Sequence, residues 1–179
     1  MWYVSALEGK VPARTSAQNC PIALLSAIGI AVLAVHWLRG APRAAEPNGL
    51  RETAAEGRFA GYRELRIASG DRCVRVVVAD TPARRERGLR GVADLAPYSG
   101  MLFVQARDSD TPFTMSGVTE PLEITWYRSN GRAIGATAMS PCPELDSARC
   151  PVYANNLKYR FALETPGGGS GPAALVACG

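Results

Sequence analysis

Short runs of apolar residues, separated by turn formers, fill the chain from residue 62 onward. The runs 63–68 and 73–79 lie on either side of Gly70, and the second run contains valines at alternate positions. Alternation with a period of two is typical of a strand with one buried face. Two such runs joined by a short turn predict a β-hairpin.

A second hairpin is predicted further along the chain. The runs 122–127 and 133–139 lie on either side of Asn130-Gly131. This dipeptide is the strongest hairpin signal in the chain, because both residues tolerate the positive φ that a tight turn between antiparallel strands requires.

Further short strands are predicted at 101–104, 113–115 and 159–164, and the apolar run 173–178 predicts a last strand or a docked tail. Many short strands with tight turns and one or two short helices indicate an α+β domain that is mostly antiparallel. We expect a small barrel-like or sandwiched architecture.

One helix is predicted to begin at Asp80-Thr81-Pro82, where the first two residues can cap free N–H groups and proline suits the first turn. Gly88 or Gly91 can end it in a left-handed conformation. Its arginines are expected either to form a solvated face or to bind an anion, and Arg87 is therefore a candidate binding residue.

The N-terminal part of the chain has a different character. Residues 21–38 contain no Asp, Glu, Lys or Arg, and as a helix they would span about 27 Å, close to the thickness of a bilayer core. We predict a tail at 1–19, a membrane helix or signal peptide at 20–38, a flexible linker at 39–61 and a globular domain at 62–179. An uncleaved anchor is favoured over a cleaved signal peptide, because Pro42 and Arg43 spoil the candidate cleavage sites.

Composition and charge narrow the class of protein. The chain has 179 residues, of which 47% are hydrophobic and 20% are charged. This is the composition of an ordinary globular protein and not of a disordered one. Its net charge of +4 is accompanied by no zinc-finger spacing and no helix-turn-helix pattern. We therefore predict no nucleic-acid partner.

Five cysteines indicate the compartment. Cys20 lies at the edge of the apolar segment, and Cys73, Cys142, Cys150 and Cys178 lie in the domain. Four cysteines allow three pairings; we expect Cys142 with Cys150 and Cys73 with Cys178, with free thiols or a metal site as alternatives. Disulfides would place the domain on the extracytoplasmic side of the membrane, or outside the cell after signal cleavage.

The domain resembles the domain of unknown function 192 family, whose members are small and often exported bacterial and archaeal domains without a settled activity. The residues that carry the resemblance lie between Arg72 and Glu164. They are the runs 76–82, 86–91, 95–97, 100–104, 113–115, 121–124, 139–142, 150–153 and 159–164.

The chain departs from that family at three places. Ser116-Gly117-Val118 replaces a polar Lys-Asn-Thr, Glu123 replaces an Asp, and a glycine-rich stretch follows Glu164. If the family's function lies on the central loop, the resemblance implies that this function is changed here.

Histidine chemistry is excluded from the domain, because the single histidine, His36, lies in the apolar segment. Glu123 and Glu164 are the candidate catalytic pair, since two carboxyl groups across a cleft can hydrolyse a glycosidic bond. The candidate binding residues are Phe113, Met115, Pro121, Trp126, Arg87 and Tyr153. No cofactor and no metal are predicted.

The sequence thus predicts a membrane-tethered, envelope-facing and non-catalytic domain that binds a small ligand, a glycan or an envelope protein. A carboxylate-based hydrolase of envelope saccharides and a structural or assembly factor are the two alternatives. The sequence does not specify an oligomeric state.

Overall fold

The computed structural model of the chain describes residues 52–178. Nine strands, one α-helix and two 3-10 turns make up this part of the chain. In order they are β1 (Glu52–Ala54), the turn Gly57–Phe59, β2 (Arg63–Ser69), β3 (Arg72–Ala79), α1 (Pro82–Arg87), β4 (Met101–Ser109), β5 (Phe113–Thr114), β6 (Leu122–Tyr127), β7 (Ala133–Met139), the turn Ser147–Arg149, β8 (Val152–Tyr153) and β9 (Tyr159–Pro166).

Seven strands form one sheet in the order β1-β2-β3-β4-β9-β6-β7, and β5 pairs with β8 in a separate two-stranded sheet. Within the large sheet only β3 and β4 run parallel. The connection between these two parallel strands contains α1, as expected because parallel neighbours need a crossover. The predicted α+β class with mostly antiparallel pairing is confirmed.

Both predicted hairpins are present. β2 pairs with β3 from Arg63↔Val78 to Ser69↔Arg72, and Gly70 occupies the turn with φ of +62°. β6 pairs with β7, and Gly131 adopts φ of +78° in the connecting turn. A side chain with a Cβ atom is strained at such angles, so these turns favour glycine.

The sheet is open, and the expectation of a barrel-like or sandwiched domain is corrected in this respect. β1 and β7 are its two edges. Of the two predictions for residues 173–178, a last strand or a docked tail, the structure shows the docked tail, which forms the isolated bridges Ile67↔Ala177 and Arg132↔Ala174. The tail therefore links β2 to the β6–β7 turn by main-chain hydrogen bonds.

Two hydrophobic cores cover the two faces of the sheet. The tail-side core includes Leu102, Tyr127, Phe161, Leu163 and, from the tail, Leu175. The loop-side core lies on the other face, beneath the segments that connect the strands. Its members include Met101, Phe103, Met115, Ile124 and Trp126. Strand β9 contributes to both cores, so both of its faces are buried.

Structure is also present inside the range that the sequence predicted as a linker. β1 pairs with β2, and the turn Gly57–Phe59 places Phe59 in the loop-side core, where the residue is 4% exposed. A three-residue edge strand and a single anchoring ring carry no sustained apolar period, which explains why the pattern of the sequence did not indicate them.

The disulfides have the pairing that the sequence predicted. Cys73 of β3 is bonded to Cys178 of the tail, and Cys142 is bonded to Cys150. The first bond ties the tail to the β2–β3 hairpin, and the second closes the loop 143–149.

No helix between residues 52 and 178 is long and apolar enough to cross a membrane. The predicted membrane segment 20–38 lies outside the described residues.

Removal of the Cys73–Cys178 disulfide is expected to destabilise the domain more than removal of the Cys142–Cys150 disulfide. The two bonds close loops with sequence separations of 105 and 8 residues. The chain-entropy model gives a loss of about 4–5 kcal/mol for the long loop and about 2–3 kcal/mol for the short one. Urea unfolding of the two double-alanine variants and the wild type would measure the difference. Equal losses in the two variants would contradict this account.

Candidate functional site

A cleft of about 460 Å³ opens on the loop-side face of the sheet. Its walls come from α1 and the loop after it, from β4, from β5 with the residues before it, and from β9. Its volume falls within the range of small-molecule sites, about 300–1,000 Å³.

The wall formed by α1 follows from local sequence. Thr81 caps the helix by accepting a hydrogen bond from the N–H of Arg84, and Pro82 occupies the first turn. Gly88 ends the helix with φ of +50°, as predicted, and lies against the ring of Phe103. A Cβ at Gly88 would contact that ring at 3.6 Å, and the positive φ would strain any other residue.

Aromatic rings form the apolar side of the cleft. Phe103 and Phe113 meet edge to face with centroids 5.2 Å apart, and Phe113 lies 6.0 Å from Tyr159. The Tyr159 hydroxyl donates a hydrogen bond to the Thr111 carbonyl oxygen at 2.6 Å and accepts a weaker one from Gln105 at 3.4 Å. Burial raises the pKa of this hydroxyl, so it remains protonated and holds the residues before β5 against β9.

The inner end of the cleft contains the carboxyl group of Glu164. Its position on β9 is opposite Met101 of β4 and Ile124 of β6, two members of the loop-side core. The residue is only 4% exposed, and no described residue between 52 and 178 forms a hydrogen bond or ion pair with its side chain. Burial raises the pKa of this carboxyl to about 8, so the group is mainly neutral at pH 7.

Arg85 is the fixed cation of the cleft. Its Nη1 atom donates to the main-chain oxygens of Asp80 at 2.7 Å and Val104 at 2.9 Å. Among the described residues, no carboxylate pairs with it, whereas its neighbour Arg84 pairs with Asp80. The guanidinium is therefore held in place while its charge is uncompensated and its remaining N–H groups are free to donate.

The mouth of the cleft is also mostly basic. Arg87 and Arg90 are exposed and line it, and Glu86 is the acidic residue beside them. With Glu164 neutral, these groups and Arg85 leave the cleft with a net positive charge, which favours an anionic ligand.

The candidate binding residues do not form one site. Arg87 and Phe113 line the cleft, as the helix and strand patterns suggested. Met115 is fully buried in the loop-side core, and Pro121 lines a separate groove beside Leu95. Trp126 and Tyr153 border a third, shallow groove along β7. The expectation of a single apolar pocket around Phe113, Met115, Pro121 and Trp126 is therefore wrong.

The proposed catalytic pair is also contradicted. Across β6 and β9, Glu164 is opposite Ile124, and Glu123 is opposite Thr165. Because successive residues of a strand point to opposite faces, Glu164 lies on the loop-side face and Glu123 on the other. Two carboxyl groups separated by the sheet cannot act on the same glycosidic bond, so the carboxylate-hydrolase hypothesis fails.

The central segment that departs from the family pattern has a structural role here. Ser116 is fully buried, and its hydroxyl donates to the main-chain oxygens of Glu144 and Leu145. The N–H of Gly117 donates to the same Glu144 oxygen. These bonds attach the disulfide loop 143–149, which contributes Ser147 to the cleft.

Sequence reasoning missed Arg85, Gln105 and Tyr159, and assigned Glu164 the wrong role. Residues of this site that are far apart in the chain come close together because β4, β9 and β6 are neighbours in the sheet. One signal was available for Glu164: an acid at a core-facing position of a strand that carries apolar residues on both faces.

Comparisons with known proteins agree with the fold. The DUF192 family model, described as an uncharacterised ACR, matches residues 65–174. No curated protein matches the chain significantly.

Two solved structures are similar. One is a protein of unknown function from Novosphingobium aromaticivorans DSM 12444, with TM-score 0.53 and 16% identity, covering 66% of this chain and 82% of that one. The other, from Sinorhizobium meliloti 1021, is described as a "putative transcription regulator", with TM-score 0.51 and 21% identity, covering 63% of this chain and 89% of that one. At these identities the likeness concerns the fold alone.

Glu164→Gln is expected to stabilise the domain increasingly as pH rises from about 5 to about 8. The carboxyl is protonated in the folded state up to about pH 8, but ionises near 4.5 when unfolded. Between these values unfolding releases a proton, so rising pH favours the unfolded wild type, by up to about 1.4 kcal/mol per pH unit. Glutamine does not titrate, so the folded state of the variant is not destabilised in this way as pH rises.

Urea unfolding at pH 4, 6 and 8 would measure this difference. Glu123→Gln, on the opposite face, is the matched control. A stability difference between Glu164→Gln and wild type that is constant with pH, or that rises equally in the control, would contradict the burial of an unpaired carboxyl.

Proposed function

Since the chain belongs to the DUF192 family, for which no activity is described, we propose its function from the cleft: it binds a small ligand and does not catalyse a reaction. We also propose that the N-terminal segment holds this domain on the extracytoplasmic side of the membrane. The ligand is then a component of the envelope or of its surroundings.

The observation that carries the binding proposal is the unpartnered carboxyl group of Glu164. A buried polar group without a hydrogen bond costs about 1–3 kcal/mol. Such a cost at the inner end of an open cleft is offset when a ligand supplies the missing partner. The carboxyl group borders the cleft and has no hydrogen-bond partner in the part of the chain that the structure describes, so it is available to a ligand that enters the cleft.

The size of the cleft supports a small molecule over the other partners considered. A stable protein interface buries about 800 Å² on each side and needs a broad complementary surface. The cleft is instead concave, with aromatic walls and a few convergent polar groups, which is the usual character of a ligand pocket. A structural or assembly factor without a ligand would not need it.

The cleft also favours binding over catalysis. Glu164 is the buried acid of the cleft, and Glu123, its proposed partner in catalysis, lies on the opposite face of the sheet. The domain contains no histidine to transfer a proton near neutral pH.

The proposed location is supported by two features. Residues 21–38 contain no charged side chain and are long enough to cross a bilayer core as a helix. The two disulfides of the domain are typical of an oxidising compartment.

Thr114→Trp is expected to abolish ligand binding by filling the cleft, because Thr114 is half-buried and lines it. The test is ligand-observed NMR on the full-length chain in detergent, with a panel of neutral sugars, amino acids, single-ring carboxylates and inorganic phosphate. Thr137→Trp on β7, beside a different groove, is the matched control and should bind as wild type does.

Binding that survives Thr114→Trp would place the ligand elsewhere, and a panel without any binder would count against the proposed function. Far-UV circular dichroism would show that both tryptophan variants are folded.

The intact mass of the protein from its native membrane fraction would test the location. Free thiols are blocked first, without reduction. We expect the full-length mass with one adduct, at Cys20, because the four cysteines of the domain are paired. Five adducts would contradict the extracytoplasmic location, and a mass without the N-terminal segment would contradict the tether.

A further inference from the structure

We propose that the ligand of the cleft is a small carboxylate built on a single ring, bound at one end by Arg85 and at the other by Glu164. This inference rests on the proposed function and specifies the class of ligand. It follows from three properties of the cleft: the fixed cation, the unpartnered acid and the distance between them.

The carboxylate end of the ligand is assigned to Arg85. Two main-chain oxygens hold its Nη1 atom, so the guanidinium loses little freedom when it binds an anion. A planar guanidinium with free N–H groups suits a carboxylate, which accepts two parallel hydrogen bonds. Arg87 and Arg90 at the mouth attract the same charge from solution.

The far end of the ligand is assigned an uncharged oxygen. Glu164 is buried among apolar residues, and burial keeps its carboxyl mainly protonated at pH 7. A protonated carboxyl donates one hydrogen bond, and a hydroxyl or carbonyl oxygen accepts it. An anionic group at this end would bring a second charge into the apolar part of the cleft without a cation to pair it.

The distance between the two ends fixes the size of the ligand. The Arg85 guanidinium is bonded to the main chain at Val104, and Glu164 is opposite Met101, three residues earlier on the same strand. Three residues of a strand span about 10 Å, which sets the scale of the separation between the two ends. One six-membered ring with a carboxylate and an oxygen at opposite ends fits such a span.

The middle of the cleft suits a ring. Phe103, Phe113 and Leu89 line it, and they offer an apolar surface between the two polar ends. A sugar ring presents C–H groups to aromatic side chains, and an aromatic ring packs edge to face with them. A hexuronic acid and a hydroxybenzoic acid therefore share the required chemistry.

The test measures affinities of the full-length chain in detergent for galacturonate and 4-hydroxybenzoate by calorimetry at pH 7. Their neutral counterparts, galactose and 4-hydroxybenzamide, replace the carboxylate without changing the ring. We expect at least one acid to bind about 10-fold or more tightly than its neutral counterpart, since a charge-assisted pair is lost. The acid that binds identifies the source as a saccharide or an aromatic acid.

Variants separate the two ends of the site. Arg85→Met should weaken binding of the acid about 10-fold or more. Arg128→Met on the β6–β7 turn is the matched control, because it removes the same positive charge at a position outside the cleft. Glu164→Gln retains a donor and should bind within about 2-fold of wild type, whereas Glu164→Met should bind more than about 2-fold, and up to about 10-fold, more weakly. Circular dichroism would confirm that each variant is folded. The neutral ligands test the contribution of the ligand's carboxylate without any mutation of the protein.

The outcomes distinguish this inference from the proposed function. Equal affinity for acid and neutral counterpart, or unchanged binding of the acid by folded Arg85→Met, would overturn the inference. The cleft would remain a binding site if Thr114→Trp still abolished that binding. Failure of these acids together with every member of the wider panel would overturn both.

Discussion

The burial of β9 on both faces is the constraint on which the rest of the domain depends. This strand lies between β4 and β6, and its side chains belong alternately to the two cores. A central strand of this kind can be covered only if separate segments pack on each face. The tail provides that cover on one side, and α1 with the loops after it provides it on the other.

The same constraint creates the cleft. Cover on the loop-side face is built from a six-residue helix, short strands and a disulfide loop, which do not fill the space above Phe103 and Glu164 as a long helix would. An acid at that point of a doubly covered strand destabilises the fold at neutral pH, since its charge would be buried. The two disulfides that tie the tail and the loop to the domain offset this loss of stability.

The sequence predicted local structure well, because local structure depends on neighbouring residues. Gly70, Gly131 and Thr81 mark turns and a cap by their own conformational preferences, and each lies where the pattern placed it. The pairing of the cysteines also followed from spacing. The site could not be predicted in this way. Arg85, Phe113 and Glu164 come together only through the order of the strands, and no local pattern of residues specifies that order.

The loop between Cys142 and Cys150 has a consequence for the thermodynamics of binding. Its ends are joined covalently, and its main-chain oxygens at Glu144 and Leu145 accept hydrogen bonds from the buried Ser116. The wall that carries Ser147 therefore has few alternative conformations before a ligand arrives. Ordering such a wall costs little entropy, so a molecule with few atoms can reach useful affinity from a small number of contacts.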